Sequence, residues 1–342
     1  MLSRLAAASI AAAMLAAAPA HAAPADGELV AEQPCVRGHP TYEAYVAGLV
    51  KAYQAEADAA APFGVKVPPA AGLPAVLSTR AELDAETAHP SVCRRVTYGS
   101  DGLKVMAFVW RPADLAPGAK APVIVALRGG NQDFGQWTAD SRRGMAAYTA
   151  AGFIVVGVQY RGVDGGEGVE QFGGDDVHDV LNAIALARRL PDADPRNVFL
   201  EGFSRGGMEA VLALGAGAKV NAAAIVSPFT DLALEARQRP KLVVNVWSKL
   251  IPGYDAHPAA SLEARSGMRV ARTVDLPPLL LMHGTADWRA DPQNSIEVAD
   301  ALKARHRPYE IHIFKDDVHG LQWNWRERDR RLIDWFRAHM VR

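Results

Sequence analysis

The sequence predicts an α/β fold: a mostly parallel, doubly wound sheet with an N-terminal antiparallel hairpin and a helical insertion. Three observations carry this. Short apolar runs such as Pro122 to Leu127 and Leu279 to His283 suit strands buried on both faces of a parallel sheet. They alternate with stretches whose apolar residues recur at helical spacing, the pattern of strands joined by right-handed crossovers. One stretch, Leu232 to Val274, is far longer than an ordinary loop between strands.

The chain has 342 residues and a formal net charge of -1, with 49% hydrophobic and 22% charged residues. That suffices for one large α/β domain or two small ones, and the near-neutral balance leaves no electrostatic footprint for nucleic acid. The first 22 residues read as an export leader. Arg4 supplies the positive start, Leu5 to Ala17 the apolar stretch, and Ala20-His21-Ala22 a small-x-small cleavage site. This stretch is too short and too alanine-rich to span a membrane convincingly, and a retained N-terminal anchor is the alternative reading. The mature chain is therefore expected to start near Ala23 and to be periplasmic or secreted, with no stable membrane insertion. In such an oxidising compartment the only two cysteines, Cys35 and Cys93, can pair as a disulfide, with two unpaired buried thiols as the alternative.

Residues 23–92 read as an N-terminal extension. Tyr42 to Ala60 carries Tyr45, Val46, Leu49, Val50 and Tyr53 at helical spacing. Pro62 to Pro74 reads as a loop, and Arg80 to Thr87 as a short helix. Residues 93–342 form the expected catalytic domain. Arg94 to Tyr98 and Leu103 to Trp110 flank Gly99-Ser100-Asp101-Gly102, a hairpin signal. Pro122 to Leu127, Phe153 to Gln159, Asn197 to Glu201, Ala222 to Val226, Leu279 to His283 and Glu310 to Phe314 follow as strands. Asp176 to Leu190, Gly206 to Leu214, Ile296 to Ala304 and Asp329 to His339 are the intervening and final helices. The insertion, at about 232–274, has partly helical spacing and is placed to cover a site.

Ser204 is the candidate nucleophile. It sits in Gly202-Phe203-Ser204-Arg205-Gly206, after a strand and before a helix, the context of the strained turn that lifts a serine hydroxyl from an α/β-hydrolase sheet. In this fold the acid and then the base follow the serine along the chain. Asp287, after the strand ending at His283, is the favoured acid; Asp291 and Asp231 are alternatives. Asp291-Pro292 also reads as a helix N-cap with proline at the first position. His319, after the strand ending at Phe314, is the candidate base, while His283 reads as structural. His178 among Asp175, Asp176 and Asp179 admits a metal-site reading, although acids at a helix start suit the helix dipole without a metal. No metal or cofactor is otherwise implied. The oxyanion hole is expected from the backbone N–H of Arg205 and from Gly129 or Gly130, after the strand ending at Leu127. Arg128 and Trp247 are candidate substrate contacts, and Tyr254, Phe134, Trp137, Trp323 and Trp325 are further candidate walls, although each of these aromatic residues reads more simply as ordinary core. The Arg205 side chain reads most simply as solvent-facing, with a substrate carboxylate as its alternative partner.

Together these motifs resemble the catalytic domain of the prolyl oligopeptidase family of serine peptidases, and more loosely the dienelactone hydrolases. Tyr160-Arg161-Gly162 looks like the family's loop after strand four. Asp194-Pro195-Arg196-Asn197 is similar to its lead into the nucleophile strand, with the arginine one place early. Gly202 to Gly207 resembles the elbow, His283-Gly284-Thr285-Ala286-Asp287 the acid loop and His319-Gly320 the base. The resemblance covers roughly Arg94 to the C-terminus. It implies a Ser204–His319–Asp287 triad acting on a peptide or amide bond. The family's full-length peptidases carry a β-propeller before this domain; the extension is too short for one, since a blade needs roughly forty residues. The family also often has an aromatic residue or histidine where Arg128 stands. The expected substrate is a short peptide or other small molecule. A carboxylesterase is the second reading, and a non-catalytic binding protein on a hydrolase scaffold a remote third.

Overall fold

The computed structural model describes residues 22–36, 38, 41–88, 91–141 and 145–342. All of the leader but Ala22 lies outside the described residues.

Among these residues, nine strands form one sheet. They are β1 (Leu29–Pro34), β2 (Val92–Ser100), β3 (Leu103–Arg111), β4 (Ala121–Leu127), β5 (Ile154–Val158), β6 (Ala193–Phe203), β7 (Ala223–Val226), β8 (Leu279–Gly284) and β9 (Tyr309–Phe314). Their spatial order is β1-β2-β3-β5-β4-β6-β7-β8-β9. The first three pairings are antiparallel. Every pairing from β5 to β9 is parallel. The sheet is thus α/β, mostly parallel, with the expected hairpin at its start.

The apolar runs are continuous because both sheet faces are covered. Val123, Val125 and Leu127 of β4 join the core under the helices α4 (Asp176–Arg189) and α5 (Arg205–Gly215). Ile124 and Ala126 point the other way, into a core shared with Met145, Tyr148 and the C-terminal helix residues Leu332, Trp335 and Phe336. A strand's period of two sends neighbours to opposite faces, so each face needs its own apolar set.

Two elements were not legible in the sequence. β1 is exposed along its whole length, so it carries no burial alternation; it is held by backbone pairing to β2. The helix α3 (Met145–Ala150) is short and mixes alanine with Tyr148 and Thr149. The extension is accordingly part of the main sheet rather than a separate unit. Cys35 is bonded to Cys93 with their Cα atoms 5.4 Å apart, which ties the end of β1 to β2.

The helix α1 (Tyr42–Ala60) starts at Thr41, whose hydroxyl accepts from the Ala44 amide. It packs Tyr53 into a small core with Leu73, Leu77, Ala286 and Val318. Ala286 and Val318 precede the candidate acid and base, so the extension rests directly on the two loops that matter most. The insertion is helical as expected. It runs through α6 (Leu232–Gln238), a π-helical turn at Val243–Trp247, and helices at Pro258–Ala264 and Gly267–Thr273.

Candidate active site

Ser204 sits at the end of β6 with φ 57° and ψ -123°, a backbone region that side chains rarely occupy. Such strain persists only where the surroundings enforce it. A Cβ on Gly202 would come 2.8 Å from the Gly207 Cα, and one on Gly206 would run into the Leu127 carbonyl. The elbow glycines are therefore required by the close approach of α5 to β6 and β4. The turn puts the Ser204 hydroxyl 2.9 Å from His319 Nε2, while His319 Nδ1 lies 2.8 Å from Asp287 Oδ2. With Asp287 ionised, Nδ1–H donates to the carboxylate and Nε2 accepts from the hydroxyl.

The loop after β8 holds Asp287 from several sides. Its Oδ1 accepts from the backbone amides of Arg289 and Ala290, both at 2.9 Å. His283 Nε2 lies 3.2 Å from Oδ2 and donates to the Ala290 carbonyl at 3.0 Å, while His283 Nδ1 meets the Ser295 hydroxyl at 2.8 Å. Burial opposes the charge of Asp287, but His319 and His283 outweigh it and hold the carboxyl well below the usual range. The two alternative acids have other work. Asp231 caps α6 through the Leu234 amide, and Asp291 accepts from the Gln293 amide at the start of helix Gln293–Ala304.

Two of the residues expected to supply oxyanion donors, Gly129 and Arg205, lie beside the nucleophile. A Cβ on Gly129 would lie 2.9 Å from the Ser204 Cβ, so this backbone touches the serine. The amide of Arg205 opens a helix and has no partner within that helix. Among the described residues, no acceptor pairs with the amides of Gly129 or Gly130. The site opens into a cavity of about 510 Å³ whose walls include Phe134, Trp137, Phe203 and Phe229.

The remaining candidate side chains divide between the core and the cavity. Arg205 is fully buried, not solvent-facing: it pairs with Glu170 at 2.7 Å, with Glu209 at 3.1 Å and with Asp176, and stacks on Tyr160 and Phe172. Three carboxylates offset the cost of burying that cation, which leaves it no capacity for a substrate carboxylate. Arg128 borders the cavity, but its guanidinium donates to the carbonyls of Gln159, Gly129, Phe134 and Gln132. These bonds tie it to the glycine loop. Trp247 has no exposed surface and packs against Phe172 in the core, and Tyr254 is buried in the same core. Phe134 and Trp137 do line the cavity, while Trp323 and Trp325 bind the extension, at Tyr53 Oη and the Val76 carbonyl.

The acids near His178 do not converge on a common point. Asp176 faces Arg205, Asp179 binds Arg161 at 2.8 Å, Asp175 accepts from Gln171, and His178 meets Asp101 at 2.8 Å. Among the described residues, no group of His, Cys, Asp and Glu is arranged to hold a metal ion. Three charged cavity residues escaped the sequence reading: Glu56 of α1, Arg239 just after α6, and Arg289 of the acid loop. Nothing local marks them, since each is an ordinary charged residue on or beside a helix.

Comparison with known proteins gives the family and the fold. The model of the prolyl oligopeptidase family matches residues 139–341. An uncharacterized peptidase of Bacillus subtilis, YtmA, is 28% identical over 226 residues, covering 66% of this chain and 84% of its own length. Dipeptidyl-peptidase 5 of Porphyromonas gingivalis is 25% identical over 240 residues, covering 67% of this chain and 35% of its own. In fold, the acylaminoacyl peptidase of Pyrococcus horikoshii superposes with a TM-score of 0.64 at 22% identity, over 77% of this chain and 44% of the other. The chain thus spans most of YtmA and less than half of the two larger peptidases. Because the family match runs from before α3 to the last residues of the chain, the chain belongs to the prolyl oligopeptidase family and is a serine hydrolase.

Proposed function

We propose that the protein cleaves a peptide or amide bond of small substrates through an acyl-enzyme on Ser204. The observation that carries this is the unbroken chain Ser204–His319–Asp287, at 2.9 and 2.8 Å, ending on the cavity. His319 Nε2 takes the hydroxyl proton as Ser204 Oγ attacks the carbonyl carbon. The developing oxyanion lies against the amides of Arg205 and of Gly129 or Gly130. His319 then returns the proton to the leaving amine, and a water repeats the sequence to release the acid. Asp287 holds the ring in the tautomer this needs. The size of the cavity favours small substrates, being within the range of small-molecule sites. The extension narrows access further by placing Glu56 at the cavity wall.

Export to the periplasm or beyond belongs to the same proposal. It rests on the leader-like Met1 to Ala22 and on the Cys35–Cys93 bond. A carboxylesterase is the second reading, favoured by the apolar cavity walls, which suit an aliphatic acyl group. Labelling by a fluorophosphonate probe tests the mechanism. The folded protein should label, and Ser204→Ala should not; labelling that survives the substitution would remove the serine from its role. Comparing aminoacyl-nitroanilides with short-chain nitrophenyl esters decides between the two leaving groups.

A further inference from the structure

Four arginines line the cavity beside Ser204, and three of them are already committed. Arg205 is matched by its three carboxylates, and Arg128 by loop carbonyls, with Glu170 at 3.7 Å. Arg289 is held by both oxygens of Glu56, at 2.6 to 2.9 Å. Arg239 differs. Its guanidinium donates to the Arg289 carbonyl, and among the described residues no carboxylate lies in ion-pair range of it.

Its position is nevertheless well defined. The guanidinium carbon lies 5.8 Å from the Phe229 ring centre and 5.4 Å from that of Trp288. Phe229 in turn lies 6.4 Å from the His319 ring. One aromatic ring therefore separates this cation from the base of the triad. The acids around it do not neutralise it. Glu56 serves Arg289, and Asp287 serves His319. Glu235 is buried, and its Oε1 accepts from the Asp291 amide and from Asn294. Burial pushes the Glu235 carboxyl up to about 7, which reduces its charge at neutral pH. A partly desolvated cation without a counter-ion attracts an anion from solution more strongly than an exposed one does.

We propose that Arg239 anchors a carboxylate of the substrate, so that the protein acts on short acyl compounds or peptides carrying a free acid within a residue or two of the scissile bond. This rests on the serine-hydrolase reading of Ser204 and adds the substrate class to it. The insertion then supplies specificity as well as cover: Leu242 and Val246 wall the cavity next to the cation. The acid can belong to the acyl part or to the leaving part, and the two sources are separable.

The test uses matched pairs of esters. For the acyl side, the mono-nitrophenyl ester of glutaric acid is compared with nitrophenyl valerate. For the leaving side, butyryl-glycolate is compared with butyryl-glycolamide. In the wild-type protein, kcat/KM for the acid should exceed that for its neutral partner by roughly tenfold to a hundredfold in one pair, the scale of a charge-assisted hydrogen bond. The ratio should fall to about one in Arg239→Met and recover in part in Arg239→Lys. A ratio near one in both pairs, in folded protein that labels at Ser204, overturns the inference. So does a preference that persists in Arg239→Met. Failure of the folded wild-type protein to label overturns the serine-hydrolase reading instead.

Discussion

Glu56 of α1 accepts from Arg289 Nε at 2.7 and 2.9 Å and from Nη2 at 2.6 Å, joining residues 233 positions apart. The same carboxylate accepts from Trp288 Nε1 at 2.6 Å. The N-terminal extension thereby grips the loop whose Arg289 and Ala290 amides hold Asp287. Glu56→Ala should lower stability by about 1–3 kcal/mol, the cost of orphaning partly buried donors. It should also reduce kcat/KM several-fold by loosening Asp287. Thermal denaturation and steady-state kinetics on one preparation check both, and no change in either would detach the extension from the site.

Asp287 fixes the His319 tautomer, whereas His283 only positions Asp287. Asp287→Asn should therefore lower kcat by roughly 10³–10⁴-fold, since an amide favours the wrong tautomer. His283→Ala should cost far less in kcat while destabilising the fold, because it leaves the Ser295 hydroxyl and the Ala290 carbonyl without partners. Comparing kcat with the melting temperature for the two variants separates the roles. Equal losses of kcat would place His283 in the chemistry.

Glu201 directly precedes the elbow and is buried facing Arg328, Asp329 and Tyr148. Burial pushes its carboxyl up to about 8, only partly countered by Arg328, while Asp329 adds to the rise. The folded state then holds this proton more tightly than the unfolded chain, whose value is about 4.3. Its contribution is fully present below about 4.3 and is lost as the pH rises towards 8. Glu201→Gln should accordingly gain in melting temperature relative to wild type at pH 9 compared with pH 5. An equal shift at the two values would contradict the buried, protonated acid.

The Cys35–Cys93 bond closes a loop of 58 residues, worth about 4 kcal/mol in the chain-entropy model. Reduction, or replacement of both cysteines by serine, should destabilise the fold by roughly that free energy and lower the melting temperature. The loss should exceed that of Glu56→Ala, because the bond constrains the whole extension. Melting curves with and without reductant, on wild type and the double variant, check it.

The sequence by itself determined the strand and helix pattern and the chemistry of the nucleophile. Ser204 was legible because an elbow between strand and helix demands Gly202 and Gly206 locally, and Asp287 and His319 because strand ends are marked by apolar runs. Cys35 and Cys93 were legible as a pair because the chain has no other cysteine. Periodicity and turn chemistry are short-range, so they survive in a single sequence. Only the tertiary structure decided which charges meet. Arg205 looks like any exposed arginine at a helix start until Glu170, Asp176 and Glu209 close around it. Trp247 is readable as a pocket wall or as core until the insertion folds it into the core. Glu56, Arg239 and Arg289 come from three distant segments, and nothing in their neighbours along the chain says that they share a cavity with Ser204. Side-chain direction and charge partnership depend on contacts between separate segments of the chain, and those exist only once the sheet has assembled.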